Sequence, residues 1–517
     1  CFKVCVFPFY WHSGKQNNSM FSLLSTATML GAFTALFAIV FQAYLTSNEL
    51  VRLTVILQHL RDLEVEYPVQ GPRVAIGYGS CSDLHVRATD FLEYSDTIGQ
   101  TLNASEYTFD DITNEEEFLL NFAYYFQRGA AAERFTANRE MFMGLVQRAK
   151  KSNTVQHHWA LGGNAPVIGT RMAIEGANVL LGAKMSAKLK THLRPEVQLT
   201  GSLIEDDDIH LILEYNTGDS WGDLVSPRAN RYILHNDHHN PYLSSLEEFD
   251  SALAGFEPHL FVVSGLQMMD NYLYPVGVRE KLLERVRTQM QAQSRTATLI
   301  HFEMASFVEL ELLQLLLRTV LPYSDSIGMN EQELDNLQQV LETGRISLVA
   351  DCNPRVAHSL DQARAVFRKL NEDFYRKQSG AGDGATRRPL SRIHLHTLAY
   401  QAFIVAKDSR WQYTKNAAAK ASLTAHRHVC ATTIVNPDAA YLQMDGSFAV
   451  SASPGARRIH FNNRDPVSCW EEALELPEAG RTIAVELCVA PVLICKNAKQ
   501  TVGAGDNISG AGLVLQI

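Results

Sequence analysis

The sequence has no dense run of lysine or arginine. Proteins that neutralise rows of nucleic-acid phosphates concentrate their cations; here 46 Lys and Arg are interspersed among 56 Asp and Glu, for a net charge of −10. Nucleic acid is therefore not expected as a partner. The eight cysteines (1, 5, 81, 352, 430, 469, 488 and 495) form no CxxC pair, which excludes a zinc-finger pattern and argues against a disulfide scaffold. One or two bridges stay open, in pairs that spacing does not choose. There is no internal repeat, and beyond the N-terminal region no second apolar run long enough to span a bilayer. What is present is a globular composition, 46% hydrophobic and 20% charged over 517 residues. That length suits one large α/β domain with a smaller lid.

From Gln16 to Asn48 there is no charge, and Phe21 to Leu45 is apolar enough to span about 30 Å of hydrocarbon as a helix. Residues 1–49 thus read as a segment carrying a signal anchor. A cleaved signal peptide is the competing reading, with a shorter apolar core and a small-x-small site that is not evident before Glu49. Lys3 and Lys15 precede the span and favour a lumenal domain by the positive-inside bias. The expectation is an endoplasmic reticulum membrane protein with its domain in the lumen, or a secreted one if the signal is cleaved. Of the sequons at Asn17, Asn103 and Asn507, only Asn103 sits in a plausible surface segment.

Leu53, Ile56, Leu57, Leu60 and Leu63 then recur at helical spacing, and Pro68, Gly71 and Pro72 stop the pattern. This gives an amphipathic helix or linker over 50–68 and a folded domain over 69–517. Short apolar runs at Val74–Ile76, Leu211–Leu213, Leu260–Val263, Thr298–Phe302, Ile346–Ala350 and Val492–Ile494 read as buried strands. Helical stretches at Val278–Gln291, Val308–Arg318, Glu331–Leu341 and Val356–Arg376 lie between several of them. The alternation predicts a doubly wound parallel α/β sheet. Parts of 83–126 and 201–246 break it and are expected to build the lid; Ser379–Arg388 reads as an exposed loop.

The sharpest chemical signal is Thr501-Val502-Gly503-Ala504-Gly505-Asp506, between a strand and helically spaced Ile508, Ala511 and Leu515. Gly503 and Gly505 let the backbone approach a ligand, and free N–H groups at a helix start attract a phosphoryl group. Asp506 would then accept the proton of an attacking hydroxyl. An Asp capping a helix after a glycine turn is the bland alternative. A second glycine motif, Gly162-Gly163-Asn164-Ala165, follows Gln156-His157-His158-Trp159.

Together the two motifs resemble the paired signatures of ribokinase-like sugar kinases. Further segments are similar to the eukaryotic branch of the ADP-dependent glucokinases, in the family order: Gly129–Phe135, His210–Tyr215, Arg228-Ala229-Asn230-Arg231, His301-Phe302-Glu303, Asn330–Glu333 and Arg392–Thr397. The resemblance implies a ribokinase-like fold, glucose as acceptor, ADP as donor, and one Mg²⁺ held by Glu303, Glu333 and Asp506, with Asp506 also the base; a monomer is expected, though no sequence feature sets the oligomeric state. Helix capping is the alternative for both glutamates. It further implies sugar contacts from Asp83, Gly163, Asn164 and Glu133, unless Glu133 pairs with Arg134 instead. Where relatives usually show Asn, this chain has Gly79. Gly503, Gly505 and Arg231, or alternatively Arg228, would hold the donor phosphates, and His394, His396 and Thr397 would line an adenosine pocket around 392–397. His235, His238 and His239 read as a polar turn. The rival functions are an ATP-dependent sugar or nucleoside kinase of the same superfamily and a carbohydrate-binding protein that has lost turnover.

Overall fold

The computed structural model describes residues 17–104, 112–152, 155–351, 353–378 and 386–517, the side chains of 17–31, 39–40, 43–46, 103–104 and 378 excepted. The apolar run 21–45 falls largely on those exceptions, as do the Asn17 and Asn103 side chains; Cys1, Cys5, Cys352 and most of the 379–388 loop also lie outside the described residues. The chain divides into a unit over residues 1–54 and another over 55–517. A helix runs Asn17–Val65 and ends, as the punctuation predicts, before Pro68. Among the described residues no helix is long and apolar enough to cross a membrane.

The larger unit is built on a ten-stranded sheet. Its order across is Ser468–Leu476, Arg481–Pro491, Tyr400–Ala406, Arg392–His396, Ser326–Asn330, Leu299–Glu303, Leu260–Val263, Arg73–Gly77, Asn178–Gly182 and Val197–Leu199. The seven strands from Arg392–His396 onward are parallel. Helices cover both faces, so strands such as Leu260–Val263 are buried throughout and read as unbroken apolar runs. The chain leaves Arg73–Gly77 first towards one edge and later towards the other, so the sheet is doubly wound about that strand. Ligands of such sheets bind beyond the carboxyl ends of the strands at this switch point.

The sheet is mixed rather than parallel throughout. Only three residues separate Arg392–His396 from Tyr400–Ala406, too few for a crossover, and the two pair antiparallel. Arg481–Pro491 and Ser468–Leu476 extend that edge. Two expected strands are corrected. Val492 and Leu493 lie beyond the Arg481–Pro491 strand, and only Ile494–Cys495 pairs, with Ala440–Tyr441. Ile346–Ala350 forms no strand: Gly344 ends the preceding helix in the left-handed conformation, and Asn336 and Asp335 of that helix bind the amide and hydroxyl of Ser347 instead.

Leu211–Leu213 belongs to a second, five-stranded sheet in the order Ala132–Phe135, Asn230–His235, Ile209–Tyr215, Cys81–Arg87, His157–Gly162. Two of its strands lie outside 83–126 and 201–246. Leu84, Val86, Leu211, Leu213, Tyr232 and Leu234 on one face pack against Phe118, Phe122, Phe142 and Leu145. By the period-two alternation of strands, the other face carries Asp83, His85, His210, Glu214, Arg231, His235 and Glu133.

Among the described residues two disulfides form, Cys430–Cys495 and Cys469–Cys488, and Cys81 is free and buried. Cys469 and Cys488 stand directly opposite on neighbouring edge strands. Replacing both by Ala is expected to lower unfolding free energy by roughly 3 kcal/mol, the loop-closure value for a loop of this size. An unchanged denaturation midpoint would show that the strand pair holds without the bridge.

Candidate active site

The parallel strands direct their carboxyl ends at the polar face of the small sheet, and between them lies a cavity of about 600 Å³. Register decides which residues reach it. Glu303 pairs with Gly328, and Asn330 with His396, so Glu303, Asn330 and His396 end three adjacent strands. Arg392, His394 and His396 share one face of their strand. Only His396, at its end, reaches the cavity. His394 is fully buried, stacked on Phe403 with ring centroids 4.0 Å apart and 3.1 Å from Gln401 Oε1, so its expected place in the nucleotide pocket is corrected; Arg392 is buried as completely.

Gly503 adopts φ +68° and begins the Ala504–Val514 helix. A side chain on Gly505 would come within 2.8 Å of the His396 ring, so glycine is needed for this close approach. First-turn amides of a helix have no partner within it, and these face the cavity beside Asp506. Asn164 Nδ2 donates to Asp506 Oδ1 at 2.9 Å, and Gln267 Nε2 donates to Asn164 Oδ1 at 2.6 Å, within 3.4 Å of Glu133 Oε2. The amide of Asn164 is thereby oriented. Gln267 had no spacing signal in the sequence; it is buried, lines the cavity, and its Oε1 has no partner.

The carboxylates differ in state. Burial would raise Glu303, but the hydrogen bond from His301 (2.7 Å) and the His396 ring 3.5 Å away hold it at about 2. Burial lifts Asp506 to about 7, and the charge of Glu303 adds to the effect. Burial lifts Glu333 to about 7 as well, against the pull of His396. Glu333 also closes a capping box with Asn330. Capping and lining the cavity coexist in this residue. The oxygens of Glu303, Glu333 and Asp506 do not all lie within 4.8 Å of one another, which fits a hydrated cation better than a direct three-ligand cage. Burying three mutually repelling carboxylates is the charge arrangement a hard divalent cation relieves.

On the small sheet, Arg231 lines the cavity; among the described residues its guanidinium bonds its neighbour Asn230, and its Nε has no partner. Arg228 donates to Glu331 at 2.5 Å. Arg228 is thus engaged by a carboxylate, and both arginines line the cavity. Glu133 and Arg134 point to opposite faces, so they do not pair; Glu133 lies 3.9 Å from His210. Burial alone would lower His210, but Asp237 at 3.0 Å raises it to about 10. His235 also flanks Asp237, while the His238 and His239 amides bind Asp208. Asp83 sits behind the wall, buried, 3.2 Å from the Cys81 thiol, and its carboxyl is raised by burial. Gly163 also stands behind the wall, where a side chain would approach Ser80 Cα at 2.9 Å. At Gly79 (φ +78°) a side chain would meet Asn240 Oδ1 at 2.8 Å, and Asn240 itself clamps both backbone groups of Ser80.

Of the sequence-derived candidates, Glu133, Asn164, Arg231, Glu303, Glu333, His396, Thr397, Gly503, Gly505 and Asp506 therefore line one cavity. The Thr397 hydroxyl is occupied by a turn to Tyr400 O at 2.9 Å. Further lining comes from Ala425, Val429 and Tyr441, which the sequence did not flag, and from Val492 and Ile494 of the expected strand, a mostly apolar slot suited to a flat base. Asn507 is buried, accepting from Arg171 and donating to Gly503 O, both at 2.9 Å. Its sequon is expected to carry no glycan, and glycosidase-sensitive mass there would contradict this placement.

A model described as the ADP-specific phosphofructokinase/glucokinase conserved region matches residues 72–515. The ADP-dependent glucokinase of Bos taurus is 32% identical over 447 residues, 85% of this chain and 84% of that protein. A probable ADP-dependent glucokinase of Caenorhabditis elegans is 29% identical over 402 residues, 76% of each. The structure of an ADP-dependent kinase complexed with fructose-6-phosphate and ADPβS aligns at TM-score 0.59 and 15% identity, covering 90% of this chain and 97% of that one; this likeness is one of fold, the ribokinase-like α/β arrangement with a large mixed sheet. From these matches, the chain belongs to the ADP-specific phosphofructokinase/glucokinase family.

Proposed function

We propose that this protein transfers the β-phosphoryl group of ADP to the 6-hydroxyl of D-glucose, giving glucose 6-phosphate and AMP. The observation that carries the reading is the Asn164–Asp506 hydrogen bond, which joins the turn on the sugar side to the turn on the phosphate side. Asp506, ionised, takes the hydroxyl proton as that oxygen attacks phosphorus. The amides at 503–506 and the Arg231 guanidinium receive the charge on the transferred group. Glu133, Asn164 and Gln267 Oε1 orient the sugar, with Asp83 holding the wall behind them. Glu303, Glu333 and Asp506 would hold Mg²⁺ in part through its waters, and the ion would neutralise phosphate charge. An acceptor already bearing a phosphate would face the Glu133 carboxylate that lines the cavity, so glucose is favoured over a sugar phosphate.

The test is incubation with Mg²⁺, glucose and either ADP or ATP. AMP and glucose 6-phosphate from ADP alone are expected; turnover with ATP alone, or with neither, would replace this reading by one of its rivals. Because Asp506 works only when ionised and lies near 7, kcat/KM should rise with pH through about 7 and level off above. A profile flat from pH 5 to 9 would remove Asp506 as the titrating base.

The charge-free run 16–48 supports an N-terminal anchor in the endoplasmic reticulum membrane, as do exposed Phe33, Leu36, Phe37 and Phe41. Two disulfides in the kinase unit suit the oxidising lumen. Protease protection of the domain in sealed microsomes tests this topology, and complete digestion would refute it.

A further inference from the structure

Arg392 is fully buried, and no step above uses it. An unpaired buried guanidinium is strongly destabilising, so its contacts identify its task. Nε donates to Gln516 Oε1 at 2.7 Å, and the group lies 5.2 Å from the rings of both Phe403 and Trp411. Nη1 donates to Ser326 Oγ at 2.9 Å. Ser326 Oγ is in turn 2.8 Å from His301 Nδ1, and His301 Nε2 is 2.7 Å from Glu303 Oε2. The other oxygen of Glu303 accepts from Ser509 at 2.9 Å.

The direction of this chain follows from donor chemistry. Arginine can only donate. Among the described residues, Ser326 Oγ has two partners, Arg392 and His301. At the other end the Glu303 carboxylate can only accept, so His301 Nε2 carries a proton and donates to it. In the neutral ring Nδ1 is then the acceptor, and Ser326 Oγ, accepting from Arg392, gives it its single hydrogen. Every link is buried, so water does not compete. We infer that Arg392 is a positioning residue: through Ser326 and His301 it fixes the orientation of the Glu303 carboxylate towards the cavity. This rests on Glu303 being a carboxylate of the cation site. Partners in this outer layer typically change metal affinity 10–100-fold.

Two measurements test it. In ¹⁵N-histidine-labelled protein without metal, the His301 resonance, identified by its loss in His301→Gln, is expected to report the Nε2–H tautomer; an Nδ1–H tautomer overturns the proposed direction. Mn²⁺ affinity is then measured by paramagnetic resonance with ADP and no sugar. Ser326→Ala, assayed well below its own melting temperature, is expected to weaken Mn²⁺ roughly 10-fold, while Arg392→Lys, which keeps a cationic donor, and Ser326→Thr, which keeps the hydroxyl, bind near wild type. Wild-type affinity in Ser326→Ala, a loss that tracks only a lower melting temperature, or failure of both conservative variants to hold affinity overturns the proposal. Glu303→Gln in the same assay separates the two readings. If it binds Mn²⁺ normally, the assignment of Glu303 to the cation is at fault; if it alone is weakened, only the role of Arg392 fails.

Discussion

Asp506→Asn is expected to lower turnover by roughly 10²- to 10⁴-fold, the usual worth of a general base, while glucose and ADP still bind. Asn is close in shape, and its carbonyl oxygen can accept the same hydrogen bond from Asn164 Nδ2. The substitution should also stabilise the fold above neutral pH. The carboxyl of Asp506 is raised from 3.8 to about 7, so the native state binds its proton more tightly than the unfolded chain does. Stability contributed at this position is therefore present at low pH and lost as pH rises through about 7. Asn is free of that loss. Since Asp506 is partly exposed, about 2 kcal/mol is the working figure at pH 8, vanishing near pH 4. Denaturation of both proteins at the two pH values, beside steady-state rates, checks this. Retained activity would return Asp506 to a capping role, and inactivity accompanied by lost stability would mark a structural residue.

Glu303→Gln should produce the next largest effect. It removes the one carboxylate of the three that is held firmly ionised, and roughly 10²-fold in kcat/KM with a roughly 10-fold higher Mg²⁺ requirement is expected. Glu303 also raises Asp506 through its charge, so neutralising it should move the acidic limb of the pH profile to lower pH. A merely structural glutamate would not shift that limb. Glu333→Gln should leave the fold intact, because Gln also serves at the third position of a capping box, and should act mainly on the Mg²⁺ requirement. Magnesium titrations at pH 6 and pH 8 separate the cases; unchanged curves for Glu303→Gln would exclude it from the cation site.

The turn at 503–506 was legible because three local rules coincide there: a preceding apolar run, two glycines and a helix start. Strands such as Leu260–Val263 were legible because burial on both faces leaves an unbroken apolar run. Other features depend on partners distant in sequence. Arg392, His394 and His396 look alike by alternation, yet a helix covers the first two and leaves only the third at the cavity. Ile346–Ala350 has strand composition, but its polar groups are claimed by the preceding helix. Ala132–Phe135 is short with two charged residues between its apolar ends, and His157–Gly162 opens on two histidines, so neither shows the unbroken or alternating apolar run that marks a strand. Gln267 acts through a single amide, and no spacing rule marks one glutamine. Cys430 and Cys495, 65 residues apart, meet only because the sheet brings their elements together.

The place of the first strand bears on how the chain is made. Val74 lies inside the large sheet, on the third strand from one edge, between Val179 and Leu260. During synthesis at about 5–20 residues per second, the strand Arg73–Gly77 emerges early but has neither neighbour until residues 178–182 and then 260–263 follow. The strands of the small sheet, from Cys81 to His235, are complete before that second neighbour appears. The nascent protein should thus hold a formed small domain beside an apolar strand whose second edge stays open for several seconds, and a pulse of protease on ribosome-bound chains ending near residue 280 should spare residues 81–235 while cutting at 73–77.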